Sequence, residues 1–135
     1  MERRFINPLE LSVPTNYSHV AVVSGGKAVY VSGQVALDAT GQVVGKDDLH
    51  AQTVQVYENL RAALGAAGAS FADVIKMTTF VVALDPDRAK IVREVRAQYL
   101  PAGHKPASTM VGVTSLVNPD LLVEVEVVAA LADRR

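Results

Sequence analysis

The stretch HKPASTMVGVTSLVNPDLLVEVEVVAAL, residues 104–131, decides the fold. It reads as two β-strands on either side of an Asn118-Pro119-Asp120 turn, since Pro and Asx residues favour turns and the flanks are rich in β-branched side chains. Successive side chains of a strand point to opposite faces. In Val123-Glu124-Val125-Glu126-Val127 this alternation puts both carboxylates on one sheet face and the valines on the other.

Upstream, strands and helices alternate. Val74 to Leu84 is a β-branched run, and Asp85-Pro86 supplies an N-cap and first-turn proline for a helix reaching about Tyr99. Pro101 and Gly103 end that helix. Earlier, Leu49, Val56, Leu60, Leu64 and Ala67 recur at helical spacing after a cap at Asp47 or Asp48, with Gly68 the expected stop. Ser18–Val23 and Lys27–Leu37 read as strands around a Ser24-Gly25-Gly26 hairpin turn, followed by a turn at Asp38–Gly41 and a short strand at Gln42–Val44. Residues 1–16, with Pro8 and Pro14, are expected to form an irregular arm. The predicted order is β-β-β-α-β-α-β-β in a single domain, 1–135, without repeats or linker. Strands joined through helices imply an α+β fold, a mixed sheet with two helices on one face. Val29–Leu37 and Val74–Leu84 are apolar on both sides, so partner subunits are the natural cover for the other face.

Composition narrows the function. The 135 residues are 50% hydrophobic, enough for one core, and a domain this small and apolar is expected to bury further surface in an oligomer. No run approaches the roughly 18 apolar residues of a membrane span. There is no cysteine, hence no disulfide and no thiolate nucleophile or metal ligand. MERRFINPLE lacks the apolar segment of a secretory signal, so a cytoplasmic location is expected. A net charge of −1 offers no general attraction for nucleic acid. His19, His50 and His104 show no paired ligand spacing, so no metal site is expected.

The C-terminal stretch closely resembles the signature of the RidA/YjgF family of small trimeric proteins. The likeness covers about residues 14–132. It takes in Tyr17, the Val31-Ser32-Gly33-Gln34 run, a helix like Gln52–Leu64, the Ala67-Gly68 stop and a strand like Asp73–Val81. The resemblance implies a chorismate-mutase-like, RidA-like fold and a homotrimer with a barrel-like centre and three clefts between neighbouring subunits. In better-known members those clefts hydrolyse reactive imines or enamines to 2-oxo acids and ammonia, without metal or organic cofactor. Two functions follow as expectations: hydrolytic deamination of an imine or enamine, or non-catalytic capture of a small metabolite. An older family label, ribonuclease, finds neither a basic stripe nor a His pair here.

Carried over residue by residue, the resemblance makes Glu124 the catalytic carboxylate, holding or activating the attacking water. Without it, Glu124 would read as a solvent-facing glutamate, as Glu126 still does. Tyr17 matches an aromatic residue packed over the ligand, with anchoring of the N-terminal arm as the other reading. Gly33 matches a glycine lining the cleft, where a missing Cβ permits close approach; a bulge is the alternative. Ser108 stands where the family pattern Pro-Ala-Arg has its substrate-carboxylate anchor. A neutral hydroxyl bond contributes ~1 kcal/mol against roughly 1.5–3 for a charged one, so simple 2-imino acids should be poor substrates. Ser108 and Thr109 still offer hydroxyls to a ligand. Arg93, where relatives commonly have a cleft-facing Asn, reads either as a replacement positive charge or as a solvated helix arginine.

Overall fold

The computed structural model describes residues 1–133. Along the chain run β1 (Glu2–Ile6), β2 (Val20–Ser24), β3 (Lys27–Val35), α1 (Leu49–Ala66), a 3₁₀ turn at Phe71–Asp73, β4 (Val74–Val82), α2 (Pro86–Tyr99), β5 (Ala107–Val113) and β6 (Val123–Leu131). Four strands form a mixed sheet in the order β3-β6-β4-β5, and β1 and β2 form a separate ribbon. β6 runs antiparallel to both neighbours, with Val81 opposite Val123 and Val31 opposite Val127. β4 and β5 are parallel, with Met77 opposite Ser108. Parallel neighbours need a crossover, and α2 provides it.

The two strands around Asn118-Pro119-Asp120 are therefore not partners, because β4 lies between them. The turn itself forms as expected, with Asn118 Oδ1 accepting from the Asp120 N–H at 2.8 Å. Three readings are corrected. Glu2–Ile6 is a strand rather than irregular arm, paired with β2 so that Phe5 faces Ala21. Gln42–Val44 contributes only an isolated bridge, Leu37 to Val43. β2 and β3 part after Gly25 and Gly26, whose φ angles of 70° and 77° favour glycine. A strand's hydrogen-bonding edge accepts any partner strand, so local sequence cannot say which one arrives.

The ribbon lies across one end of the sheet. Ser18 bridges to Ala107 at the start of β5, the Phe5 ring stacks on His104 with centroids 4.5 Å apart, and Arg3 Nη1 donates to Asp73 Oδ1 at 3.2 Å beside β4.

Both helices begin as the sequence predicts. Asp48 Oδ1 accepts from the Ala51 N–H at 3.0 Å, and Asp85 Oδ1 from the Arg88 N–H at 2.7 Å. Such caps satisfy amides that have no partner within the helix. α1 stops at Gly68, where the Ala69 N–H returns to Leu64 O at 2.8 Å. Val56, Leu60 and Leu64 of α1 pack in one core with Val92 and Val95 of α2, Met77 and Val81 of β4, and Val123, Val125 and Val127 of β6. The helices thus cover the valine face of β6, and the alternation read there holds. The opposite face gathers Tyr30, Lys76, Thr78, Glu126 and Val128. Tyr30 is 78% exposed, a large aromatic without cover in one chain.

One buried polar side chain ties three segments together. Gln52 Nε2 donates to Gly45 O at 3.1 Å and Asp120 O at 2.8 Å, while its Oε1 accepts from the Leu122 N–H at 2.8 Å. This closes the start of α1 onto the turn that feeds β6.

Candidate functional site

The start of β5 and the exposed end of α2 frame a cleft of about 400 Å³, lined by Thr15, Tyr17, Arg93, Arg96, Ser108 and Met110. Tyr17 is delivered by its neighbour. Ser18 is buried, its N–H donates to Pro106 O at 2.9 Å and its Oγ to Lys105 O at 2.6 Å. The aromatic ring stays half-buried, edge-on to His19 at 5.3 Å. Ser108 shares the helix-covered side of the sheet with its partner Met77, so its hydroxyl points toward α2.

Arg96 meets that hydroxyl. Its Nη1 donates to Ser108 Oγ at 3.2 Å, yet its Nε is buried with no partner. Arg96 is only 4% exposed. Burial holds its guanidinium below the usual arginine range; the Tyr57 phenol opposes this and the positive charge of Arg93 adds to it. Arg93, one turn earlier on α2, is exposed and reaches the same cleft. Among the described residues neither arginine has a carboxylate within salt-bridge distance.

The other expected residues lie elsewhere. Thr109, next along β5, points to the opposite face, where Lys76 Nζ donates to its Oγ1 at 2.9 Å. It does not join Ser108. Glu124 also sits on that open face, half-buried and paired with Val35 and Phe80. Gly33 lies at the bulge between Val31 and Gln34, and a Cβ there would collide with the Glu124 carboxylate. Tyr17, Arg93 and Ser108 thus form one cluster beside β5, and Gly33 and Glu124 a second between β3 and β6. No single chain brings the two together. Among the described residues no group of three or more His, Cys, Asp or Glu is arranged to hold a metal ion, and no helix is long and apolar enough to cross a membrane.

Comparison with known proteins places this architecture. The family model described as Endoribonuclease L-PSP matches residues 9–131. A RutC family protein of Pyrococcus horikoshii is 41% identical over 108 residues, 79% of this chain and 82% of the relative. The chain belongs to the RidA/YjgF family. A crystal structure of a Yersinia pestis protein of unknown function, YyfB of the conserved Rid family, superposes with a TM-score of 0.86 at 40% identity, covering 97% of this chain and all of that one. RidA from an Antarctic Psychrobacter matches with a TM-score of 0.69 at 30% identity, over 89% of this chain and 92% of its own.

Within this family pattern the departure at Ser108 has a structural answer. A guanidinium approaches position 108 from α2 instead of growing from β5. Sequence reasoning chose Arg93 on this helix and not Arg96. The signal was present: Ala89, Val92, Val95 and Arg96 form the buried stripe of α2, and an arginine inside an apolar stripe is out of place on a solvated face.

Proposed function

We propose that the protein is a homotrimer that binds a small metabolite in clefts between neighbouring subunits and hydrolyses an imine or enamine there. What carries the reading is the division of the candidate residues. Tyr17, Arg93 and Ser108 lie beside β5 at one edge of the sheet, and Gly33 and Glu124 beside β3 at the other. Half-sites at opposite edges complete each other when the β3 edge of one copy meets the β5 edge of the next. A head-to-tail contact of this kind closes into a ring. Tyr30 and the open face, uncovered in one chain, are surfaces that such an assembly would bury.

The chemistry then needs only residues of this chain and water. The arginine cluster orients an anionic substrate beneath Tyr17. Glu124 from the neighbour takes a proton from water as its oxygen bonds to the C=N carbon, then returns the proton to nitrogen. In the carbinolamine so formed, Glu124 next carries the hydroxyl proton to the nitrogen, and the C–N bond breaks as the carbonyl forms, releasing ammonia. Ribonuclease chemistry is less well supported: His19 Nε2 and His104 Nε2 are each engaged with a backbone carbonyl, of Ser12 and Ala72.

A panel of imines generated in situ by an amino-acid oxidase tests the activity, read as faster release of ammonia with the protein present. Glu124→Gln should leave folding intact and reduce the rate at least 100-fold, within the range of one acid–base group. Full activity in that variant would remove Glu124 from the mechanism. Light scattering should give three times the 14.3 kDa of one chain; a monomer at micromolar concentration would defeat the shared-cleft reading.

A further inference from the structure

Two arginines enter one small cleft, and among the described residues of the chain no carboxylate lies within salt-bridge distance of either. Arg93 and Arg96 lie one turn apart on α2, so their side chains emerge on neighbouring positions of the helix surface. Both line the cleft, with Thr15, Tyr17, Ser108 and Met110 as its remaining wall. Arg96 is 4% exposed, and among the described residues its sole side-chain hydrogen bond goes to a neutral hydroxyl. Its Nε is buried without a partner. A buried cation usually faces a carboxylate, because desolvation otherwise disfavours the charge. Here a second cation, Arg93, acts against its charge instead.

The hydroxyls agree with the arginines. Ser108 Oγ already accepts from Arg96, which leaves its own proton to donate into the cleft. Tyr17 adds a phenol and Thr15 a second hydroxyl. The wall that this chain supplies is therefore a set of donors and positive charges in a volume suited to a molecule of a few heavy atoms, with the neighbour's Glu124 left to face the reacting carbon from the other side.

We propose that this cleft selects a doubly anionic small molecule, one negative charge held by Arg96 with Ser108 and the other by Arg93. This rests on the cleft being the ligand site of the proposed function and narrows it: the preferred substrate is the imine of an amino dicarboxylic acid. One carboxylate beside the reacting C=N carbon meets the buried guanidinium, and the second, further along the ligand, meets the exposed one. The hydrolysis is the one already written. Water adds to the C=N carbon, the C–N bond breaks, and ammonia and a 2-oxo dicarboxylate leave.

Calorimetric titration of the full-length protein at fixed ionic strength provides the test, with succinate, inorganic phosphate, butyrate and butyramide as probes. Succinate should bind about 10-fold or more tighter than butyrate, the scale of one added charge-assisted contact, and butyramide should not bind measurably. Arg93→Gln should bring the affinity for succinate to within about 2-fold of that for butyrate, removing the preference. Arg96→Gln should abolish both. If that variant folds poorly by circular dichroism, Arg96→Lys, which keeps the charge, should retain part of the preference. Phosphate binding tighter than succinate would also support selection of a dianion, with both arginines on one group. Equal affinities for succinate and butyrate, or a succinate preference that survives Arg93→Gln, would overturn the proposal. The failures separate cleanly. Hydrolysis of uncharged imines without dianion preference would sink the inference and leave the proposed activity standing; a dianion preference without hydrolysis of any imine would do the reverse.

Discussion

Gln52 and Arg96 are both buried polar side chains on helices, and the structure treats them in opposite ways. Gln52 gives both amide protons and its oxygen to the backbone, at Gly45, Asp120 and Leu122. Arg96 gives one N–H to Ser108 and leaves Nε without a partner. The first closes a junction between α1 and the turn before β6. The second opens on a cleft. A buried polar group costs free energy unless it is paired, so a fold retains the unpaired kind where something other than stability maintains it. The contrast separates scaffold from site more sharply than burial alone.

Four substitutions test this contrast. The largest loss of stability is expected from Gln52→Leu, which strands three backbone groups at once. Urea unfolding should report a loss of about 3 kcal/mol or more, at 1–3 for each buried group left unmade. Anion affinity should not change, because Gln52 does not line the cleft. A loss below about 1 kcal/mol would mean that water replaces the amide and the junction is not closed.

Ser108→Arg comes next. Restoring the family's arginine at this position puts a second guanidinium against Arg96, so the variant should lose about 1–2 kcal/mol through like-charge crowding in a partly desolvated site. Arg96→Met in the same chain should recover most of that loss, and the double-mutant cycle measures the coupling. Additive effects would show that the two positions do not share space.

Arg96→Met alone sharpens the comparison further. Removing an imperfectly paired buried charge should leave stability within about 1 kcal/mol of wild type, or raise it. Anion binding should be lost. Destabilisation as large as that of Gln52→Leu would place Arg96 with the scaffold.

The smallest effect concerns Asp38, whose carboxylate accepts from Thr40 Oγ1 at 2.7 Å, the Thr40 N–H at 2.9 Å and the Gln42 N–H at 3.0 Å. The Thr40 hydroxyl, more than any other contact, holds its pKa below the usual aspartate value. The sign follows: the contribution is present above the ordinary Asp value and is lost as pH falls through the lower folded value. Urea unfolding at several pH values should show Asp38→Asn slightly less stable than wild type at neutral pH, with a flatter acid limb that converges on wild type at low pH.

Most of the fold was legible from local chemistry. The caps at Asp48 and Asp85 and the stop at Gly68 depend on residues within one turn, and each was found there. The strand at Glu2–Ile6 escaped notice because its hydrogen bonds go to Val20–Ser24, beyond two prolines that argued for an irregular arm. Of the candidate site, Tyr17, Arg93 and Ser108 come together in one cleft, whereas Thr109 turns to the other face because side chains alternate along β5. Arg96 joins Ser108 only when α2 crosses back over the sheet.

The amino-acid sequence alone determined where both helices begin and end and which face the side chains of β6 take, since capping, turn chemistry and strand alternation act over a few residues. Only the tertiary structure decided that β4 separates β5 from β6, that Gly33 yields its Cβ space to Glu124, and that Arg96 stands beside Ser108. Those outcomes depend on contacts between segments far apart in the chain. Strand edges and helix faces are interchangeable partners until the whole core selects one packing.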